Sequence, residues 1–331
     1  MVSVERAPEP RHPAFIYDAI RAGQPYHFRT KNPLVHNTIN AGVTLLLLLG
    51  LGVTVWLGTV VNPWVYVPIA AVVFGWLYFS LFILVVHEAS HSMYLVAQNR
   101  TLHTWINRIP GWMVATVFAV HYGKHWERGH LEHHVRPLEV NDPQQFNTSI
   151  GRKLAVGVAM NVFVPGWLIL ERTVFRTKRA GGKSSSSPVV LVAFVVIWVV
   201  GLTLSAIYLG GPVALAGFLG IHVLTAWNLV KGALEHGGAL AQEKDPYFRS
   251  RTSLFFGRQL LMPFNITLHF EHHLNFCVPW YDLPRYQRDL RAIVPASVFH
   301  DMINPSPMQQ LAGKLGGLSA ESTQLITASS R

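Results

Sequence analysis

The 331-residue chain has a single cysteine, Cys277, which rules out an intramolecular disulfide and any Cys-x-x-Cys metal or redox site within one chain. Charge is scarce as well: 13% of residues are Asp, Glu, Lys or Arg, where a soluble domain carries about 25%. Neither Asn32–Val86 nor Pro188–Val230 contains any charged side chain. The N-terminus has no short apolar run followed by a small-residue cleavage site, and its first 33 residues are polar and contain Pro8, Pro10, Pro13 and Pro25. No signal peptide is expected, and the first span serves as the targeting signal.

Half of the residues are hydrophobic, and each charge-free stretch is long enough for two crossings of about 20 residues. Each reads as a hairpin. The first is expected to run over about 36–60, turn at Val61-Asn62-Pro63-Trp64 and return over 65–86. The second runs over about 189–209, turns at Gly210-Gly211-Pro212 and returns over 213–235. Both turns are uncharged, so all 27 Lys and Arg residues fall on one side, 5 before the first gap, 12 between the gaps and 10 after the second. By the positive-inside rule that side is the cytoplasm, with both termini on it. The net charge of +10 therefore reports topology and not nucleic-acid binding. The expected fold is an all-α membrane protein with four transmembrane helices in two hairpins and a cytoplasmic helical cap.

Three parts follow: a cytoplasmic lead-in over 1–33, a membrane domain over 34–290, and a cytoplasmic tail over 291–331 that turns rich in Gly, Ser, Gln and Ala after about Pro305, where the end is expected to be loosely ordered. Two further apolar stretches, Ile109–Val120 and Leu154–Leu170, do not read as spans. The first is too short. The second contains Asn161 and Pro165 and has basic residues at both ends, as a helix that lies in or dips into the interface would. Arg176–Pro188, with four consecutive serines, reads as a flexible linker.

The chemistry lies in the histidines. His269-Phe270-Glu271-His272-His273, read as a helix, puts imidazoles at i, i+3 and i+4, a tripod on about one face. His130-Leu131-Glu132-His133-His134 repeats the pattern, and His87 and His91 share one face at i, i+4 on an uninterrupted extension of the second span. His236, at the end of the fourth span, occupies the same place on its hairpin as His87 and His91 do on theirs. These nine are the candidate metal ligands, imidazole being the commonest metal ligand at neutral pH. Nine nitrogens exceed the six positions of an octahedral ion, so two metals are expected, with iron, zinc, copper and nickel all open. His12, His27, His36, His103, His121, His125, His222 and His300 are expected to be ordinary interfacial or surface side chains.

The order His-x-x-x-His, His-x-x-His-His, His-x-x-His-His, the hairpins between, and the ending His269-Phe-Glu-His-His-Leu-Asn-Phe-Cys-Val-Pro-Trp-Tyr-Asp-Leu-Pro resemble the membrane fatty-acid desaturase superfamily, the histidine-box di-iron desaturases and hydroxylases, over roughly residues 34–290. The resemblance implies two non-haem Fe ions, O2 as co-substrate, and attack on an unactivated C–H bond of a fatty-acyl or other lipid chain. Lipid or carotenoid hydroxylation or ketolation is the alternative within it. It carries His87, His91, His130, His133, His134, His269, His272 and His273 as ligands, with His236 as the family's additional histidine. One position departs: some members have an asparagine four residues before that histidine, where this chain has Gly232. Asn228 and Asn265 are the nearest substitutes.

An apolar channel would have to meet the metals, and Trp76, Tyr78, Phe79 and Phe82 are candidates to line it. No flavin or nicotinamide fingerprint is present, and His12-Pro13 continues as Ala14-Phe15 instead of the His-Pro-Gly-Gly of a fused cytochrome b5. A separate ferredoxin, rubredoxin or cytochrome b5 with its reductase is implied. Two other classes compete. His87-Glu88-Ala89-Ser90-His91 is a literal zinc-protease motif, which would leave the other boxes unexplained. A metal transporter would place more polar ligands within its spans than Asn40, His222 and Asn228.

Overall fold

The computed structural model describes residues 12–139, 142–144, 149–164, 166–167, 188–304 and 306–329. Four helices among these are long and apolar enough to cross a membrane: Pro33–Val60, Pro63–Ser90, Pro188–Tyr208 and Gly211–His236. Each starts at a proline or a glycine-proline step, where the missing N–H is no loss because the first turn has no carbonyl partner for it. Asn32 and Asn62 cap the first two, their side-chain oxygens accepting from Leu34 N and Trp64 N. Between the second and fourth spans the backbones approach closely. A Cβ on Gly220 would stand 2.7 Å from Phe74 Cβ and 3.2 Å from Gly75 N.

The second span is not a plain α-helix to its end. After Leu81 it widens into a π-helical turn, Phe82–His87, before a final α turn, Glu88–Ser90. The extra residue per turn rotates the end of the helix relative to its membrane part, a device common at functional sites. No proline or glycine between Leu81 and Ser90 signals it.

The connection between the hairpins also approaches the membrane. Helix Gly151–Phe163 packs along the fourth span. Its upper end lies at Gly237, whose added Cβ would meet Ile150, and its lower end lies at His222, whose Nδ1 donates to Asn161 O at 2.8 Å. Fourteen residues of the fourth span separate Asn161's partner from His236, so the helix descends about 20 Å beside it. That length is short of the roughly 30 Å of a full crossing, and part of Leu154–Leu170, with its basic C-terminal flank, lies outside the described residues. Helix Arg100–Val117 ends where Trp198 Nε1 of the third span donates to Val117 O. The expected linker over 176–188 lies, except for Pro188, outside the described residues.

On the histidine side, a second apolar core joins the lead-in to the cap: Phe15, Ile16 and Ala19 of helix Ala14–Ala22 pack with Phe270, Leu274, Leu283, Tyr286 and Val298. The tail is helical at Pro307–Leu311 and Ala320–Ser329 instead of loosely ordered. Two buried side chains dock it. Arg251 donates to Gln310 Oε1 (2.9 Å) and Gly316 O (2.7 Å), and Gln310 Nε2 donates to Ala233 O and Gly237 O at the end of the fourth span. The Gly- and Ser-rich composition hid this because the contacts are made by one Arg far upstream and one Gln.

Gly220→Val should force apart the second and fourth spans, costing about 1–3 kcal/mol as overpacking does. The unfolding temperature in detergent should fall for Gly220→Val and stay unchanged for Gly201→Val, whose Cβ meets nothing within 4 Å.

Candidate metal centre

The structure brings all nine candidate histidines together, buried, in two adjoining groups. His87, His91, His130, His134 and His272 form one; His133, His236, His269 and His273 form the other. Within each group the potential ligand atoms lie within 4.8 Å of one another. The tripod reading of the boxes is thereby corrected. In box two the i, i+4 pair His130 and His134 faces one group while His133 turns to the other. In box three, His269 and His273 share a group and His272 joins box one. A helix turn of 3.6 residues sets i+4 about 40° to one side of the starting residue and i+3 about 60° to the other, so boxes two and three each straddle the two groups.

Fixed tautomers define the chemistry of these groups. His236 Nδ1 donates to Arg249 O at 2.9 Å, His133 Nδ1 to Asp142 Oδ2 at 2.8 Å, and His130 Nδ1 to Gln144 Oε1 at 2.5 Å. Each of these rings then turns Nε2, its acceptor nitrogen, toward the other imidazoles. Yet His133 Nε2 and His236 Nε2 face each other at 3.2 Å, and His269 Nε2 stands 2.9 Å from His236 Nε2. In the first group the Nε2 atoms of His87 and His272 lie 3.0 Å apart and those of His130 and His134 3.3 Å apart. Converging lone pairs repel unless a cation lies among them. Spacings near 3 Å are those of neighbouring ligands each about 2.1 Å from one ion. The buried, unpartnered nitrogens His91 Nε2 and His273 Nε2 complete the fit to a metal in each group.

The carboxylates and amides that aim the rings carry no sequence signal. Asp142 and Gln144 sit in irregular chain after box two, and Gln144 is itself held by donating to His125 O at 2.7 Å. Glu235 Oε1 lies 3.3 Å from His269 Nδ1, while its Oε2 accepts from buried Lys231 at 2.6 Å. Orienting partners of this kind fix ring direction and raise ligand basicity. Glu271, inside box three, points away from the imidazoles and accepts from Thr252 Oγ1.

The remaining sequence candidates fall outside both groups. Gly232 offers no side chain, Asn228 is exposed, and the Asn265 amide is engaged by Arg258, Gln259 and Trp280 O. His121 caps the π turn Tyr122–Arg128 by accepting from Lys124 N. His36 and His222, expected at the interface, are instead buried. His36 Nε2 donates to Met93 O (2.6 Å), and its Nδ1 accepts from Tyr281 OH (2.7 Å). With Asn40, which donates to Tyr94 O (2.8 Å) and accepts from Trp280 Nε1 (3.0 Å), it ties the first span to the exits of boxes one and three.

Of the candidate channel aromatics, Phe82 packs edge-on against Trp126, whose ring lies over His87 and His130. Tyr78 contacts Phe118 and Trp198, and Phe79 faces Trp227. The first histidine group thus has an apolar aromatic wall on its membrane side. A cavity of about 100 Å³ lined by Phe194, Trp198, Phe218, Ile221 and His222 borders Tyr78, whose ring contacts both Trp198 and Phe118.

Burial, reinforced by the neighbouring imidazoles, lowers the pKa of His130, His134, His269, His272 and His273 well below the usual range and that of His91 to about 3. These rings stay neutral when folded but take up protons when unfolded, near pH 6.5. The metal-free protein should hold its full stability above that pH and lose it as the pH falls, by at most about 1.4 kcal/mol per pH unit for each group. Unfolding temperatures of metal-stripped protein at pH 7.5 and 5 check this; equal values would contradict it.

A family model described as Fatty acid desaturase matches residues 62–303, from the start of the second span through all nine histidines. No curated protein matches the chain. The family accounts for the four apolar helices of an integral membrane protein, for the metal-competent histidine groups, and for an enzyme of desaturase or hydroxylase type that modifies fatty acids. On the extent of that match, the chain belongs to the fatty acid desaturase family.

Proposed function

We propose that the protein is a membrane-bound di-iron oxidoreductase that uses O2 and two external electrons to desaturate a fatty-acyl chain. The observation that carries this reading is the pair of adjoining histidine groups, five and four imidazoles with converging ring nitrogens, in a chain of the desaturase family. Nitrogen-only groups with no thiolate suit non-haem iron. When bound, two such irons supply the reduction of O2 by two electrons and two protons, coupled to removal of two hydrogens from adjacent carbons, which leaves an alkene and two waters. His87, His91, His130, His134 and His272 would hold one ion, and His133, His236, His269 and His273 the other.

The rest is work for the chain's own residues. Asp142, Gln144 and the Arg249 carbonyl hold Nδ1 protons on their partner rings and leave Nε2 as the nitrogen that would bind metal. Trp126 and Phe82 shield the first group from water on its membrane side, which restricts reaction to whatever chain enters that apolar surface. The basic residues crowd the histidine-bearing side, and the positive-inside rule supports its facing the cytoplasm. A separate ferredoxin, rubredoxin or cytochrome b5 with reductase would deliver electrons there, drawn by opposite charge.

The protease alternative is disfavoured because the two histidines of His87-Glu88-x-x-His91 sit in a five-imidazole group, where a His-Glu-x-x-His hydrolase uses two plus one further ligand.

The test is turnover of acyl-lipids by iron-loaded protein with reduced ferredoxin under O2, read by mass spectrometry. Loss of two hydrogens supports desaturation. Gain of one oxygen would replace it with hydroxylation, and cleavage of peptides without O2 would overturn the oxidative reading. Turnover should fall steeply between low and high salt if the donor docks by charge. Asp142→Ala should weaken iron binding by about 10–100-fold, measured by chelator competition.

A further inference from the structure

The segment Leu254–Pro263, between the fourth span and box three, has a composition unlike the cap around it. Phe256 is fully exposed, Leu260 is 68% exposed and Leu261 is 42% exposed. In water this would be an apolar patch with no purpose. Its hydrogen bonds place it elsewhere. Trp76 Nε1 of the second span donates to Leu260 O, and Trp227 Nε1 of the fourth donates to Leu261 O at 2.6 Å.

The depth of those indoles follows from helix geometry. Trp76 lies about 20 Å along the second span from Pro63, and Trp227 about 24 Å along the fourth from Gly211, at about 1.5 Å per residue. The far ends of the hairpins carry exposed Trp64 and Tyr208, aromatics of the kind that mark the membrane boundary. Since the hydrocarbon core is about 30 Å thick, both indoles, and the two carbonyls they bind, lie inside it, and tilting the helices only deepens them.

We propose that Phe255–Met262 is a re-entrant segment lying among the acyl chains of the leaflet on the histidine side, inserted between the second and fourth spans. Irregular backbone survives at such depth only when its polar groups are satisfied within the protein, and bonds within the protein take up many of them here. Leu261 N donates to Gly257 O (3.0 Å) and Met262 N to Arg258 O (2.7 Å). The Leu260 and Leu261 carbonyls receive the indoles. Arg258 turns inward to Thr267 Oγ1 (2.9 Å), and Gln259 donates to Asn265 Oδ1. Met262 is buried in the core that contains Phe82 and Leu84 and anchors the segment, while Phe256, Leu260 and Leu261 point out, continuous with the lipid-facing sides of the two spans. The lipid-contacting surface thereby extends to within eight residues of His269. This holds whatever metal the histidines bind.

The test uses Phe256→Cys and Leu260→Cys in a Cys277→Ser background, with Ala292→Cys on the exposed cap as control, in lipid nanodiscs. An environment-sensitive fluorophore at 256 or 260 should be quenched about twofold or more by doxyl-labelled lipid. Both thiols should react about tenfold slower than the control with a membrane-impermeant maleimide. Reaction at the control's rate without lipid quenching would overturn the proposal. So would disulfide formation between copies at position 256 without quenching, which would make the patch a protein interface.

Discussion

Imidazole lone pairs that face one another at about 3 Å, out of reach of water, constrain everything around them. Such an arrangement is unfavourable by itself and becomes favourable only around cations, so the surrounding chain has to hold the rings in place against their mutual repulsion. The rigid second span and its π turn aim His87 and His91. The fourth span aims His236, and Gln310 caps that span's end by donating to Ala233 O and Gly237 O. Boxes two and three are helices of seven and six residues, too short to stand alone. Their positions come from Asp142 and Gln144 on one side and from the packing of Phe270 and Leu274 against the lead-in helix on the other.

The two groups are unequal. The first has five imidazoles and an aromatic wall; the second has four, and the position that would supply an amide is Gly232. Beside the four-imidazole group lies the buried Lys231–Glu235 pair. A buried ion pair in a membrane helix is costly unless both partners are well satisfied, and Glu235 extends this one toward His269 at 3.3 Å. The second group therefore sits in a more polar setting than the first, an asymmetry suited to two ions with different surroundings.

Much of this was legible in the sequence, because its signals are local. A span needs an uninterrupted apolar run, and all four appear within a few residues of their expected bounds. The nine histidines announce themselves by helical spacing. What periodicity misjudged was the sharing of ligands: it treats three imidazoles within one turn as a single face, whereas the fold divides them between two groups. The features that escaped were those made by distant partners. Nothing near His36 marks its bonds to Met93 and Tyr281, nothing in the tail marks Arg251 as its anchor, and nothing in residues 81–90 marks the π turn.

The nearness of the candidate site to the bilayer follows from the same economy of elements. Helices Gly151–Phe163 and Arg100–Val117 descend beside the third and fourth spans, so the histidine groups rest on a partly submerged platform above an apolar wall. The central claim is that boxes two and three each divide their histidines between two ions. It is tested most directly by the iron content of purified protein beside His272→Ala and His273→Ala variants. About two irons per wild-type chain, with His272→Ala and His273→Ala each losing about one, is the predicted result. One zinc per chain, indifferent to both substitutions, would contradict it.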